Sequence, residues 1–171
     1  PTRRSSDLFA KNRYIGRTFI QPTQALRDQG VALKFNAMPG TVRGRRVVMV
    51  DDSIVRGTTT GPLVRLLREA GAAEVHVRIA CPPLRHPCYM GVDMGTRERL
   101  IAHRLTVEGI REAVGADSLS YLSLEGLLGA LEEARSDAQG GGSPARGPEG
   151  LRAGGFCDAC FSGDYPLDVL G

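Results

Sequence analysis

The sequence predicts an α/β fold: a parallel sheet flanked by helices. Three observations carry that expectation. Val47, Val48, Met49 and Val50 form an apolar, largely β-branched run without alternation, the pattern of a strand covered on both faces. Leu63, Leu66, Leu67 and Ala70 then recur at i, i+3, i+4 and i+7, giving one apolar helix face. Val75, Val77 and Ile79 alternate with His76 and Arg78, as in a second strand. Strand, helix and strand in this order make a β-α-β unit with a parallel crossover.

The remaining elements follow in order. Lys11 to Val42 is basic and weakly periodic; apart from a short helix at Gln24 to Gln29 it reads as loop, of the kind that forms lids. Pro62 suits the first turn of the central helix and Gly71 its end. Thr96 to His103 and Thr106 to Val114 read as helices, and Ser118 to Leu122 as a short strand. Ser123 is placed to cap a helix running through Arg135. Residues 136–155 are rich in Gly, Ala, Pro and Ser, the composition of a flexible linker. A short tail, 156–171, carries Cys157 and Cys160. Residues 1–8, PTRRSSDL, look like a non-native leader and are set aside, so the domain is read as 9–135.

Composition narrows the function. With 171 residues and 42% hydrophobic, the chain is long enough for one domain with a real core. No apolar run approaches the ~20 residues of a membrane helix. Ten of the Lys and Arg residues and two acids lie before Val47, so this front part is +8 while the whole chain is +3. Such a front suits an anionic ligand, nucleic acid or a phosphorylated small molecule, although a solvated basic surface has the same composition. Four tyrosines and no tryptophan give little support for a base-stacking surface, and no nucleic acid is expected as a partner.

The segment that carries chemistry is VVMVDDSIVRGTTT, Val47 to Thr60. A strand ends at two adjacent carboxylates, Asp51 and Asp52, and ligands of open α/β sheets bind at the carboxyl ends of strands. Gly57, Thr58 and Thr59 follow at the mouth of a helix, supplying free amides, hydroxyls and the positive end of a helix dipole. Glycine lets the backbone come close to an anion. The spacing suits a ribose 5-phosphate, with the diol on the acids and the phosphate on the Gly-Thr-Thr loop. It is neither a Walker loop nor GxGxxG. A generic strand-turn-helix corner with solvated acids is the plainer alternative, and the combination of apolar run, acid pair and Gly-Thr-Thr outweighs it.

VVMVDDSIVRGTTT resembles the phosphoribosyl-pyrophosphate (PRPP) motif of type I phosphoribosyltransferases. The wider chain resembles one branch, the amidophosphoribosyltransferases. The resemblance lies in KNRYIGRTFIQPTQALRDQGV (11–31), REAGAAEVHVRIACPP (68–83), HPCYMGVD (86–93), RERLIAH (97–103) and GADSLSYLSLEGLLGAL (115–131). It implies a type I phosphoribosyltransferase-like sheet, incomplete on its N-terminal side. It implies that Asp51 and Asp52 hold the ribose hydroxyls and a Mg²⁺ bridging to PRPP, and that Ser53, Ile54, Val55, Arg56, Gly57, Thr58 and Thr59 hold the 5-phosphate. Lys11 to Thr23 matches the family's closing loop, with Lys11, Arg13 and Arg17 as cations for a polyanion.

The implied reaction is attack of ammonia on C1 of PRPP with loss of pyrophosphate, in de novo purine synthesis. The implied enzyme is cytoplasmic, homo-oligomeric when full length and inhibited by purine nucleotides. The family makes its ammonia in an N-terminal glutaminase domain that these residues do not match, so the chain reads as a C-terminal fragment with no glutaminase chemistry of its own. Other readings are a different type I phosphoribosyltransferase or a nucleotide-sensing, RNA-binding regulator.

Cys157 and Cys160 form a CxxC, and Cys88 lies in HPCYMGVD. Spacing alone leaves zinc, an iron–sulfur cluster and spare thiols open. FCDACF (156–161) resembles the C-terminal motif of the family's iron–sulfur members. The resemblance implies a [4Fe–4S] cluster with Cys88, Cys157 and Cys160 as three ligands and the fourth outside this chain. Cys81 matches no ligand. His76, His86 and His103 are scattered and suit capping or solvated roles.

Overall fold

A computed structural model describes residues 9–11, 35–139 and 156–167. Two short strands, β1 (Phe9–Lys11) and β2 (Phe35–Ala37), pair antiparallel with Phe9 opposite Ala37. The Phe9 and Phe35 rings meet edge to face at 5.8 Å. Helix α1 (Pro39–Val42) follows, and buries Val42 completely. The segment read as loop therefore holds a strand and a helical turn at its end. Elements of three and four residues carry too little periodicity to be legible. The helix expected at residues 24–29 lies outside the described residues.

The second sheet is the framework of the site. β3 (Arg46–Asp51), β4 (Glu74–Ile79) and β5 (Ser118–Tyr121) are parallel, in the order β3-β4-β5. Val47 pairs with Val75, Asp51 with Ile79, and Ile79 with Tyr121. Helix α2 (Thr60–Glu69) links β3 to β4 and ends as expected at Gly71, whose φ of 93° is left-handed. One face of the sheet, with Val47, Met49, Val75, Val77, Ile79 and Leu119, packs on Leu63, Val64 and Leu67 of α2. Ile110 and Val114 of α4 (Val107–Val114) complete that core.

The opposite face corrects one expectation. Val48 and Val50 are 55% and 64% exposed, so β3 is not covered on both faces among the described residues. Their neighbours explain this: His76 pairs with Val48 and Arg78 with Val50, and Ser118 follows on β5. This face carries a polar network instead. The His76 ring meets Glu74 at 2.8 Å and Ser118 at 2.9 Å, and Arg46 Nε donates to Glu74 at 2.7 Å.

The expected helix at Thr96 to His103 is broken into a 3₁₀ turn (Arg97–Arg99) and α3 (Ile101–Arg104). Leu100 between them is extended and wholly buried. The Ile101 amide donates to the Val55 carbonyl at 2.9 Å, a tertiary bond that takes the donor a continuous helix would use internally. α4 begins as expected, with the Thr106 hydroxyl accepting from the Gly109 amide at 3.2 Å. Ser123 caps α5 (Leu124–Gln139) in the same way, at 3.0 Å from the Gly126 amide. That helix runs four residues past the expected boundary, so 136–139 are helical rather than linker. Residues 140–155, like 1–8, are outside the described residues.

Candidate functional site

The carboxyl end of β3 builds the acid pair. Asp51 is the last residue of the strand, and its carbonyl accepts from the Ala80 amide at 2.9 Å, which pins it to the exit of β4. Asp51 Oδ1 accepts from the Asp52 amide at 3.0 Å, and Asp52 Oδ1 accepts from the Ser53 hydroxyl at 3.3 Å. Burial pushes the Asp51 carboxyl above its ordinary range; the Asp52 amide opposes this, and the Asp52 charge adds to it. Asp52 itself is exposed. Two adjacent carboxylates, one of them desolvated, favour a cation between them and a ligand's hydroxyls.

The next residues form a loop held from beneath. Ile54 is 1% exposed and belongs to the core, so its side chain anchors the loop and only its backbone can face a ligand. The Val55 carbonyl is taken by the Ile101 amide, and Arg56 Nη2 donates to the Met94 carbonyl at 3.4 Å. Gly57 has a φ of 76°. A Cβ there would come within 2.8 Å of Ile101 Cδ1, so glycine is demanded by the framework as well as by any anion. Thr58 and Thr59 are half-buried, and the Thr59 side chain makes no capping hydrogen bond at the start of α2. The loop thus delivers amides and hydroxyls to the mouth of a ten-residue helix.

An open groove of about 330 Å³ runs beside this mouth, lined among others by Arg56, Gly57, Thr58, Arg65 and Val114. Asp51 and Asp52 do not line it. Lys11 ends β1, and Arg13 and Arg17 lie outside the described residues.

Two groups near the acids are not singled out by the sequence. The Cys81 thiol lies in the field of both Asp52 and Asp51, and burial above all pushes its pKa to about 11. Tyr121, at the carboxyl end of β5, has a buried hydroxyl with no hydrogen-bond partner among the described residues, and burial pushes it up to about 12. The rule that placed the acids, that ligands gather at the carboxyl ends of parallel strands, applies to Tyr121 as well.

All four cysteines are free thiols. Cys157 is exposed, Cys88 Sγ accepts from the Met90 amide at 3.3 Å, and burial pushes Cys160 to about 11. Cys160 lies in the field of Cys88 and Cys157, so the three sequence-predicted cysteines share one neighbourhood. Among the described residues, however, no three Cys, His, Asp or Glu side chains converge on a metal-sized site. His76 sits in a half-buried cross-strand hydrogen-bond network and His86 packs against Gly163, rather than in the capping or solvated roles expected of them.

No family model matches the chain. An amidophosphoribosyltransferase of Drosophila melanogaster is 52% identical over 161 residues, which is 94% of this chain and 28% of that protein. Two solved structures superpose on the fold. One is a glutamine PRPP amidotransferase from Bacillus subtilis complexed with ADP and GMP, with a TM-score of 0.71 and 53% identity over 93% of this chain and 32% of that one. The other, described as the allosteric regulatory enzyme of purine biosynthesis, gives 0.69 and 52% over 92% of this chain and 31% of that one. The chain spans about 30% of the length of such proteins. With half of its residues identical over nearly all of its length, and with the type I phosphoribosyltransferase-like sheet in place, this chain is a stretch of the amidophosphoribosyltransferase family.

Proposed function

We propose that this chain supplies the PRPP-binding, phosphoribosyl-transferring part of an amidophosphoribosyltransferase acting in purine synthesis. The observation that carries the proposal is the acid pair at the end of β3, followed by the Gly57–Thr59 loop at the mouth of α2. Asp51 and Asp52 take the ribose hydroxyls and hold Mg²⁺. A pair of carboxylates fits that ion, which completes its shell with water and substrate oxygens. Bound there, Mg²⁺ would offset the charge of the pyrophosphate leaving group. The amides and hydroxyls of Ser53 to Thr59 hold the 5-phosphate, and the loop bearing Lys11, Arg13 and Arg17 closes over the polyanion.

In the reaction the nitrogen of ammonia bonds to C1 as the C1–pyrophosphate bond breaks, and the ammonium product sheds a proton to solvent. The residues contribute by positioning and by charge, so no side chain is assigned as general base. The ammonia comes from the glutaminase part of the longer protein, which is cytoplasmic and oligomeric. The ADP and GMP in the Bacillus subtilis structure support purine nucleotides as inhibitors. An RNA-binding regulator and other phosphoribosyltransferases have no comparable support. A [4Fe–4S] cluster on Cys88, Cys157 and Cys160 does not fit the described residues alone. It requires a fourth ligand from outside the chain.

The test replaces Asp51 and Asp52 with asparagine in the longer protein and measures PRPP affinity by calorimetry with Mg²⁺. Charge-assisted hydrogen bonds contribute about 1.5–3 kcal/mol, so a loss of roughly tenfold or more is expected. Unchanged affinity would refute the assignment.

A further inference from the structure

The loop between β3 and α2 is tied to one neighbouring segment at two successive residues. The Val55 carbonyl accepts from the Ile101 amide at 2.9 Å. The half-buried Arg56 side chain turns to the same segment, where Nη2 donates to the Met94 carbonyl at 3.4 Å. Its guanidinium lies against Gly95. A Cβ on Gly95 would come to 2.9 Å from Arg56 Nη2 and 3.7 Å from its Cζ. Gly95 has a φ of 76°, and its amide donates to Asp93 Oδ1 at 3.1 Å, a local turn that fixes the glycine in place. The Arg56 hydrogen bond is long, so the fit of a planar guanidinium on a residue without a Cβ matters more than the bond itself.

We propose that the Arg56 side chain is a positioning group for the 5-phosphate loop rather than a phosphate ligand, and that Gly95 is the seat its guanidinium requires. This rests on the proposed 5-phosphate site. The Arg56 backbone amide stays with the amides of Ser53 to Thr59, while its side chain holds the loop against the 93–101 segment. Anchors at Val55 and Arg56 together fix the direction of the peptide that leads into Gly57. Loosening one leaves the loop to be ordered by the ligand, which weakens binding. The 5-phosphate takes no part in the bond changes at C1, so it is held alike in substrate and transition state. Losing part of that hold raises KM and spares kcat.

Steady-state kinetics of the longer protein test it, with PRPP, Mg²⁺ and an ammonium salt as nitrogen source. Gly95→Ala and Arg56→Lys should each raise the KM for PRPP about threefold to tenfold and change kcat by less than about twofold. Arg56→Lys keeps the charge and loses the planar fork. Gly95→Ala added to Arg56→Lys should raise KM by less than a further twofold or so, because the group that the Cβ obstructs has gone. Arg56→Met should match Arg56→Lys within about threefold; a larger KM would place the Arg56 charge on the phosphate and overturn the proposal. Gly95→Ala also strains a left-handed backbone, so unfolding midpoints are measured alongside, and the two Arg56 variants decide the matter if it does not fold. Thr58→Val removes a hydroxyl assigned to the phosphate and serves as the reference. If it leaves KM unchanged, the 5-phosphate site fails and this proposal with it. A raised KM in Thr58→Val, with KM unchanged in Gly95→Ala and Arg56→Lys, overturns the positioning role alone.

Discussion

Gly57→Ala should destabilise the fold by two separable effects. A left-handed backbone costs an L-residue about 1–2 kcal/mol, and Gly57 has a φ of 76°. The new Cβ would also lie 2.8 Å from Ile101 Cδ1, and Ile101 is only 5% exposed, so its side chain must leave its rotamer at about 0.5–1.5 kcal/mol. The expected loss is therefore about 1.5–3.5 kcal/mol. Ile101→Val removes Cδ1 and alone should cost about 0.5–1.5 kcal/mol. In the Ile101→Val background only the backbone effect of Gly57→Ala should remain, so the two changes couple by about 0.5–1.5 kcal/mol. Urea denaturation of the four proteins measures each corner of the cycle. A Gly57→Ala loss below about 0.5 kcal/mol, or the absence of coupling, would refute the account of why glycine stands here.

Two further outcomes follow from ionised groups. Burial raises the Asp51 carboxyl, so the folded state binds its proton more tightly than the unfolded state does, and stability falls as pH rises from the unfolded carboxylate range through the folded value. Asp51→Asn keeps an oxygen for the Asp52 amide; it should raise the unfolding midpoint near neutral pH, with the gain shrinking in acid, and a lowered neutral midpoint contradicts this. Asp117 is held in the opposite direction, chiefly by the Val75 amide at 2.6 Å and then by Arg68 at 2.9 Å. Its contribution is present above the ordinary carboxylate range and is lost as pH falls through the depressed folded value. Asp117→Ala should cost about 1–3 kcal/mol near neutral pH, read from denaturant midpoints, and an unchanged midpoint would show that the Val75 amide finds another partner.

The parts of the fold legible in the sequence are those whose signal is local. β3 shows as a continuous apolar run, α2 and β4 carry their own periods, and Thr106, Gly71 and Ser123 mark ends by capping chemistry that needs only neighbouring residues. The errors have non-local causes. Val48 and Val50 read as buried because a β-branched run without alternation usually has helices on both sides. Only the pairing with His76, Arg78 and Ser118 shows that this face is polar. The break at Leu100 is equally invisible along the chain, since it follows from one tertiary hydrogen bond to Val55. The contacts that Tyr165, Gly163 and the Cys160 carbonyl make are non-local too, since each is with the distant loop after β4.

The same contrast governs the site. Sequence reasoning proposed the ligand-facing groups, because acid pair, glycine and hydroxyls lie within one short segment. It could not find what shapes them. Ile54 sinks into the core, the Val55 carbonyl is bound by Ile101, Gly57 packs on the Ile101 side chain, and Arg56 reaches Met94. Four consecutive loop positions are therefore fixed from below, three of them by the Met94–Ile101 stretch and one by the core. The loop is set before any anion arrives, so little ordering cost is left to be met on binding. A substitution at Ile101, whose side chain packs on Gly57, should then act on the proposed phosphate site without touching the ligand. Ile101 belongs to that proposed site as a part that shapes the loop from below.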